Sequence, residues 1–143
     1  MDQKIINVLY VDDEQQNLIS FTAAFRKYFN VFTALSSKEA EVILNKNKIH
    51  VLITDQRMPI KKGTELLSES VKKYPELTKI ILSAFIHTVE VKEAVKLGYV
   101  FRTLEKPWDD EELIDTIKLG YESYVWKINR SKMMNNLNNE AKE

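Results

Sequence analysis

Short apolar runs alternate with helix-length amphipathic stretches, and this alternation constrains the fold more than any other feature of the chain. The runs have the length and β-branched content typical of strands buried on both faces, and they lie at 5–11, 31–34, 49–54, 80–82 and 99–101. Between the runs, apolar side chains recur every three or four residues, which predicts helices with one buried face. Strands alternating with helices predict right-handed crossovers and a parallel sheet covered on both faces. We therefore expect a three-layer α/β domain.

The residues between these segments agree with this division. Ser36 followed by Glu39 fits a capping box at the start of the second helix. Gly98 stands where the fourth helix should end, as a residue able to adopt a positive φ. The third helix should close at Tyr74, because the residue before a proline disfavours the α region.

The last predicted helix begins near Asp109 and continues beyond what one face of a domain needs. Its apolar stripe has a 4-3-4 spacing and consists of Ile117, Tyr121, Tyr124 and Ile128. This spacing is compatible with a short parallel dimer or with a helix that leads to an output domain. The register next meets Ser131 and Asn135, so an extended helix with a frayed end is the alternative. We expect a domain over 1–122 and a helical extension or linker over 123–143.

Composition excludes several classes of protein. A length of 143 residues predicts one domain, and the absence of cysteine excludes disulfides, thiolate nucleophiles and cysteine-type zinc sites. The 21 basic and 21 acidic side chains balance, which argues against direct nucleic-acid binding. The first apolar run ends at Asp12 and is too short for a membrane span or a signal peptide. A cytoplasmic protein without membrane contact is the simplest expectation.

Polar side chains follow the predicted strands where sites form in open parallel sheets, at the carboxyl ends. Asp12 and Asp13 follow the first strand, Asp55 the third, Ser83 the fourth and Lys106 the fifth. Three neighbouring carboxylates repel one another unless a cation lies among them, and hard oxygen ligands suit Mg²⁺. A cation, a lysine and a hydroxyl around one carboxylate are what phosphoryl transfer requires.

At this point the sequence resembles the receiver domain of two-component response regulators, the CheY-like superfamily. The resemblance covers roughly residues 4–122, and its motifs occur in order. They are Val-Asp12-Asp13-Glu, Thr-Asp55-Gln-Arg-Met-Pro with Gly63 eight residues after Asp55, Leu-Ser83-Ala, and Glu-Lys106-Pro107-Trp. The resemblance implies a (βα)5 doubly wound fold, a five-stranded parallel sheet in the flavodoxin-like order 2-1-3-4-5, and an extended C-terminal helix.

The resemblance also implies roles for individual residues. Asp55 would accept a phosphoryl group from a sensor histidine kinase or phosphotransfer protein. Asp12, Asp13, Asp55 and the backbone carbonyl of Arg57 would hold Mg²⁺, for which Mn²⁺ could substitute, with Asp12 acting largely through water. Ser83 and Lys106 would bind the phosphoryl oxygens, and the bond between Lys106 and Pro107 would be cis.

Binding of the phosphoryl group would shift the surface formed by the fourth helix, fifth strand and fifth helix. Four further positions bear on this switch. Many receivers carry an aromatic residue three positions before the lysine, where this chain has Thr103. Strand alternation predicts that Phe101 shares a face with Thr103 and could replace the missing ring. Arg57 and Phe85 flank the site and could modulate dephosphorylation by contacting or shielding the phosphoryl group.

Other functions fit the sequence less well. A haloacid-dehalogenase-type phosphatase needs an aspartate where Arg57 stands, and a flavodoxin-like electron carrier would not place Asp12 and Asp13 beside an anionic cofactor. A receiver acting only as a scaffold is kept open by Thr103. We expect no enzymatic activity beyond self-catalysed phosphorylation and dephosphorylation. The sequence does not identify the downstream partner or output domain. A homodimer through the surface formed by the fourth helix, fifth strand and fifth helix, or through the C-terminal helix, is compatible with the sequence.

Overall fold

The computed structural model describes residues 5–141 and contains one five-stranded parallel sheet between two layers of helices. The strands are β1 (Asn7–Val11), β2 (Asn30–Ala34), β3 (Val51–Thr54), β4 (Thr78–Ser83) and β5 (Arg102–Glu105). The helices are α1 (Gln15–Phe25), α2 (Ser37–Lys46), α3 (Gly63–Lys73), α4 (Val89–Lys96) and α5 (Asp110–Ala141). The strand order is β2-β1-β3-β4-β5, which confirms the expected doubly wound α/β fold.

Alternation along the strands divides the interior into two cores. Tyr10, Ile53 and Leu82 face one side of the sheet, which α1 and α5 cover. Their neighbours in the chain point to the other side, which α2, α3 and α4 cover. Both faces of the central strands are therefore buried, and this is why these strands appear as nearly continuous apolar runs.

The second helix begins and the third helix ends where predicted, but only one of the two capping-box hydrogen bonds expected at Ser36 forms. The Ser36 hydroxyl accepts a hydrogen bond from the Glu39 amide at 3.1 Å, and the Glu39 carboxylate accepts one from the Leu35 amide. The third helix ends at Lys73, followed by Tyr74 as its cap. The buried apolar face of α1, formed by Leu18, Phe21 and Phe25, continues beyond the helix end. Phe29, in the turn after Phe25, is buried in the same core.

The fifth strand lies later in the chain than expected. Residues 99–101 do not form a strand, and β5 begins at Arg102. The apolar run instead closes α4, since Gly98 has a φ of 81° and the Tyr99 amide donates to the Ala94 carbonyl at 2.9 Å, as in a Schellman motif. β5 is an edge strand with half of its residues exposed, so its sequence lacks an apolar run.

The first half of α5 packs on the sheet. Leu113, Ile117 and Gly120 are buried, and the Thr78 hydroxyl donates to the Gly120 carbonyl at 2.6 Å. From Asn129 to Ala141 every residue is exposed, yet the chain stays helical where fraying was expected. Within residues 5–141, none of the helices has the length and apolar character needed to cross a bilayer.

Candidate functional site

The carboxyl ends of four parallel strands bring the predicted polar residues to one edge of the sheet. The register pairs Val11 with Thr54 and Thr54 with Ile81, so β1, β3 and β4 end close to one another. Asp12 and Asp55 directly follow the first two of these strands, and Ser83 is the last residue of β4. Lys106 directly follows β5.

The three aspartates form an acidic cluster. One carboxylate oxygen from each of Asp12, Asp13 and Asp55 lies within 4.8 Å of the others. Asp12 is fully buried and Asp55 is 8% exposed, whereas Asp13 is exposed. The cluster is therefore rooted in the sheet and reachable from solvent through Asp13.

Lys106 joins two members of this cluster. Its Nζ lies 2.6 Å from Oδ2 of Asp12 and 3.2 Å from Oδ2 of Asp55. The Lys106 amide also donates to the Ser83 carbonyl at 3.1 Å, which fixes the start of the loop after β5 against the end of β4. The peptide bond between Lys106 and Pro107 is cis, the geometry that the resemblance implied.

Two residues that the sequence did not single out hold Asp12 in place. The Tyr10 hydroxyl donates to Oδ2 of Asp12 at 2.6 Å, and the Asn17 side chain donates to the same oxygen at 3.0 Å. The Glu14 amide donates to the other oxygen at 2.9 Å. Tyr10 could have been found, because a residue two positions before Asp12 on a strand points to the same face.

These contacts set the protonation states. Burial alone would raise the pKa of the Asp12 carboxyl, but hydrogen bonds from Lys106, Tyr10 and the Glu14 amide outweigh burial and lower it. Burial opposes the charged form of Lys106, but its bond to Asp12 and the charge of Asp55 raise its pKa. Burial, reinforced by the bond to Asp12, raises the pKa of Tyr10. Asp12 is therefore a carboxylate, Lys106 an ammonium and Tyr10 a neutral donor.

Asp55 is anchored through the residues that follow it. The Gln56 amide donates to Oδ1 of Asp55 at 2.7 Å. The Gln56 side-chain nitrogen donates to the Thr64 hydroxyl on α3, and the Gln56 side-chain oxygen accepts from the Thr64 backbone amide. Gly63 packs so close that a Cβ there would lie 2.2 Å from the Asp55 carbonyl oxygen. The position of Asp55 thus depends on a close approach between β3 and the first turn of α3, a role of Gln56 and Thr64 that the sequence did not reveal.

The two flanking residues contact each other across the site. The Arg57 guanidinium lies over the Phe85 ring at 3.7 Å from the centroid, a cation–π arrangement. The Phe85 amide donates to the Ser83 hydroxyl at 3.1 Å. The loop after β4 is therefore linked to the loop after β3 through these side chains.

The prediction that Phe101 and Thr103 share a face is wrong. Thr103 pairs with Ile81, whose side chain lies in the core covered by α2, α3 and α4. Phe101 packs against the opposite core, covered by α1 and α5. Strand alternation does not reach Phe101 because it precedes β5, and its ring cannot replace an aromatic side chain at position 103.

The cluster fits a divalent cation of the hard type. Three carboxylates and one ammonium give the cluster a formal net charge of −2. The possible ligands in the cluster are all carboxylate oxygens. This donor chemistry suits Mg²⁺ and related ions.

Comparisons with known proteins agree with this geometry. The sequence model of the family described as the response regulator receiver domain matches residues 8–118. The hydrogenase transcriptional regulatory protein HoxA of Cupriavidus necator is 31% identical over 123 residues, which cover 86% of this chain and 26% of that protein. Sporulation initiation phosphotransferase F of Bacillus subtilis is 27% identical over 119 residues, covering 82% of this chain and 93% of that protein.

Solved structures are similar over nearly the whole chain. A structure described as adenylate cyclase from Rhodopirellula baltica superposes with a TM-score of 0.85 at 26% identity, covering 94% of this chain and 98% of that one. This chain spans about a quarter of the length of HoxA, 26%.

Proposed function

Because the chain belongs to the response regulator receiver domain family, we propose that Asp55 accepts a phosphoryl group from a sensor histidine kinase or a phosphotransfer protein. Phosphorylation-dependent signalling is the function that membership of this family implies. The observation that carries the assignment of Asp55 is the bridge from Lys106 to Asp12 and Asp55. It places a fixed positive charge 3.2 Å from an Asp55 oxygen at the edge of the sheet that solvent can reach.

In the proposed reaction, an Asp55 oxygen attacks phosphorus as the bond from phosphorus to the histidine nitrogen breaks. The Lys106 ammonium lies 3.2 Å from Oδ2 of Asp55, near where the phosphoryl oxygens would develop charge. The Ser83 hydroxyl, which in this structure accepts from the Phe85 amide, would donate to a phosphoryl oxygen.

The site would hold Mg²⁺ through Asp12, Asp13, Asp55 and the Arg57 carbonyl, and Mn²⁺ could replace it. When bound, such an ion neutralises charge on the transferred group. Tyr10 and Asn17 keep the Asp12 carboxylate oriented toward the cluster, since both donate to the same oxygen.

Phosphorylation converts the Asp55 carboxylate into an acyl phosphate that carries about −1.5 to −2 charges next to Lys106 and Ser83. Either residue can transmit the change, because Lys106 follows β5 directly and Ser83 is bonded to the loop before α4. We propose that the α4-β5-α5 surface responds and controls a downstream partner. With Thr103 in place of an aromatic residue and Phe101 facing away, the response would run through these two contacts.

We propose that residues 1–122 are the receiver domain and that residues 123–143 are a helical extension or linker. The relative HoxA is named a transcriptional regulator and is about four times longer than the matched segment, which covers 26% of it. An output domain or separate effector would therefore act downstream of this domain, which itself performs only its own phosphorylation and dephosphorylation. Nucleic-acid binding by the chain itself is not proposed, because its formal net charge is zero.

Intact-mass measurement after incubation with Mg²⁺ and acetyl phosphate tests the proposal. We expect a gain of one phosphoryl group that disappears in Asp55→Asn and without divalent metal. Asp109→Asn is the matched control, because Asp109 is an exposed aspartate outside the cluster. A gain that persists in Asp55→Asn would show that another residue is the acceptor. No gain from acetyl phosphate or from a panel of kinases would favour a scaffold.

A further inference from the structure

Helix α5 carries two apolar stripes on opposite sides. The inner stripe is Ile117, Tyr121, Tyr124 and Ile128, and the outer stripe is Leu119, Trp126, Met133 and Leu137. At about 100° per residue, Leu119 lies roughly 200° around the helix from Ile117.

The domain itself uses the inner stripe. Ile117 is buried in the core covered by α1 and α5, and Tyr121 packs against it. The rings of Tyr121 and Tyr124 contact His50 with centroids 5.0 and 4.9 Å apart. The spacing that suggested a dimer in the sequence therefore serves packing within the chain.

The outer stripe faces solvent along its whole length. Its members are 48%, 60%, 64% and 53% exposed in chain order. Beyond Ile128 the helix runs for 13 residues, Asn129 to Ala141, in which every side chain is exposed. A helix of that length is marginal in water without a packing partner.

The outer stripe has the spacing of a coiled-coil seam. Leu119, Trp126 and Met133 are seven residues apart, and Ser123, Arg130 and Leu137 alternate with them to give a 4-3-4-3-4 pattern. This 3.5-residue period matches another helix of the same period, which an identical chain provides. We propose that the outer stripe is the seam of a parallel, in-register homodimer.

Two features favour a parallel pair of identical chains. In this register Glu122 and Lys127 flank the seam on opposite sides of the helix. In a parallel pair, Glu122 of each copy therefore lies beside Lys127 of the second copy. An antiparallel pair on the same stripe would instead bring the two Lys127 side chains together. A single basic residue within a seam, here Arg130, also specifies register and a two-stranded state.

Arg130 has a partner in the single chain as well. Its guanidinium lies 5.4 Å from the Trp126 ring centroid and partly covers the ring. In the dimer the same group can stack on the Trp126 ring of the second copy, so the charge at the seam keeps an aromatic partner.

Sedimentation equilibrium of the full chain from 1 to 100 µM, without a phosphodonor, is the first test. We expect a species of twice the 16.7 kDa chain mass. Met133→Lys should weaken association at least tenfold, and Asn135→Lys, which places the same charge on the opposite side of the helix, should change it less than twofold. Thermal unfolding, measured at a chain concentration low enough to keep both variants monomeric, should be the same for both, because both positions lie in the exposed part of α5.

Cross-linking tests the orientation. The chain has no cysteine, so a single introduced thiol reports its own symmetry mate. Met133→Cys should form a disulfide-linked dimer on mild oxidation, and Asn135→Cys should not. A monomer throughout the concentration range, or a dimer insensitive to Met133→Lys, would overturn the proposal. A Met133-dependent dimer without the Met133→Cys cross-link would overturn the parallel arrangement. None of these outcomes depends on whether Asp55 is phosphorylated.

Discussion

Gly63 is the point at which α3 touches the backbone of the proposed phosphoacceptor. A Cβ there would lie 2.2 Å from the Asp55 carbonyl oxygen and 3.1 Å from Cγ2 of Thr54. The nearer atom belongs to the backbone, so a rotamer change cannot remove the overlap. In Gly63→Ala, α3 and the end of β3 must separate by about 1 Å to reach normal contact distance.

The cost of this separation can be worked out from the contacts. Overpacking of this kind costs about 1–3 kcal/mol. Weakening the 3.0 Å hydrogen bond from the Gly63 amide to the Gln56 carbonyl adds about 1 kcal/mol. The sum, about 2–4 kcal/mol, is below the roughly 5–15 kcal/mol by which domains are stable, so we expect the variant to fold. A displacement of about 1 Å at a reacting group can slow a reaction roughly 100-fold.

Urea unfolding and the rate of phosphorylation by acetyl phosphate measure the two effects. Gly98→Ala is the control, because Gly98 has a φ of 81° and a Cβ there would have no neighbouring atom within 4 Å. It should lose about 1–2 kcal/mol from backbone strain and keep the wild-type rate. A Gly63→Ala variant that is phosphorylated at the wild-type rate would refute the reasoning, as would equal slowing in Gly98→Ala.

Three further predictions concern stability. Ile60 is fully exposed with a φ of 70°, so Ile60→Gly should raise the free energy of unfolding by about 0.5–1 kcal/mol in urea titrations. Burial, with the nearby Lys127, lowers the pKa of Lys79 to about 8, so the charged side chain destabilises the fold at pH 7. Lys79→Met should therefore stabilise the fold at pH 7 by about 2 kcal/mol, a net value that already subtracts the lost hydrogen bond to the Leu77 carbonyl. Burial, with the charge of Lys48, lowers the pKa of His50, so stability should fall below pH 6.5, and less so in His50→Gln.

The signs of the two pH effects follow from linkage. Lys79 and His50 both bind protons more weakly in the folded chain, so stability rises with pH through each titration. For Lys79 the rise lies between about pH 8 and 10.5 and should vanish in Lys79→Met. For His50, Nδ1 accepts from the Asn7 amide at 2.9 Å, and a proton there removes that bond. Tyr124, which faces His50, stays neutral in this range because burial raises its pKa. A profile unchanged by either substitution would contradict the corresponding assignment.

The sequence by itself determined the architecture and the members of the acidic cluster. Alternating apolar runs and amphipathic stretches admit few topologies, and the carboxyl ends of parallel strands must meet at one edge. Asp12, Asp55 and Lys106 could therefore be grouped from the sequence, because strand order brings them together regardless of side-chain packing.

Tertiary structure decided how that cluster is supported. The hydrogen bonds from Tyr10 and Asn17 to Asp12, and the contact of Gly63 with Asp55, depend on how closely α1 and α3 approach the sheet. Such approaches are set by packing volumes summed over many side chains, which no local pattern contains.

The fifth strand and the last helix show the same division. Tyr99 belongs to a helix cap and not to a strand, because its backbone amide donates to the Ala94 carbonyl at the end of α4. The edge strand β5 begins later and is half exposed, so it forms without an apolar run. On α5, the spacing of Ile117, Tyr121, Tyr124 and Ile128 was compatible with a dimer, but the sequence did not show whether this stripe is free. Only packing on the sheet decided that, since the domain buries the inner stripe and leaves the outer one to solvent.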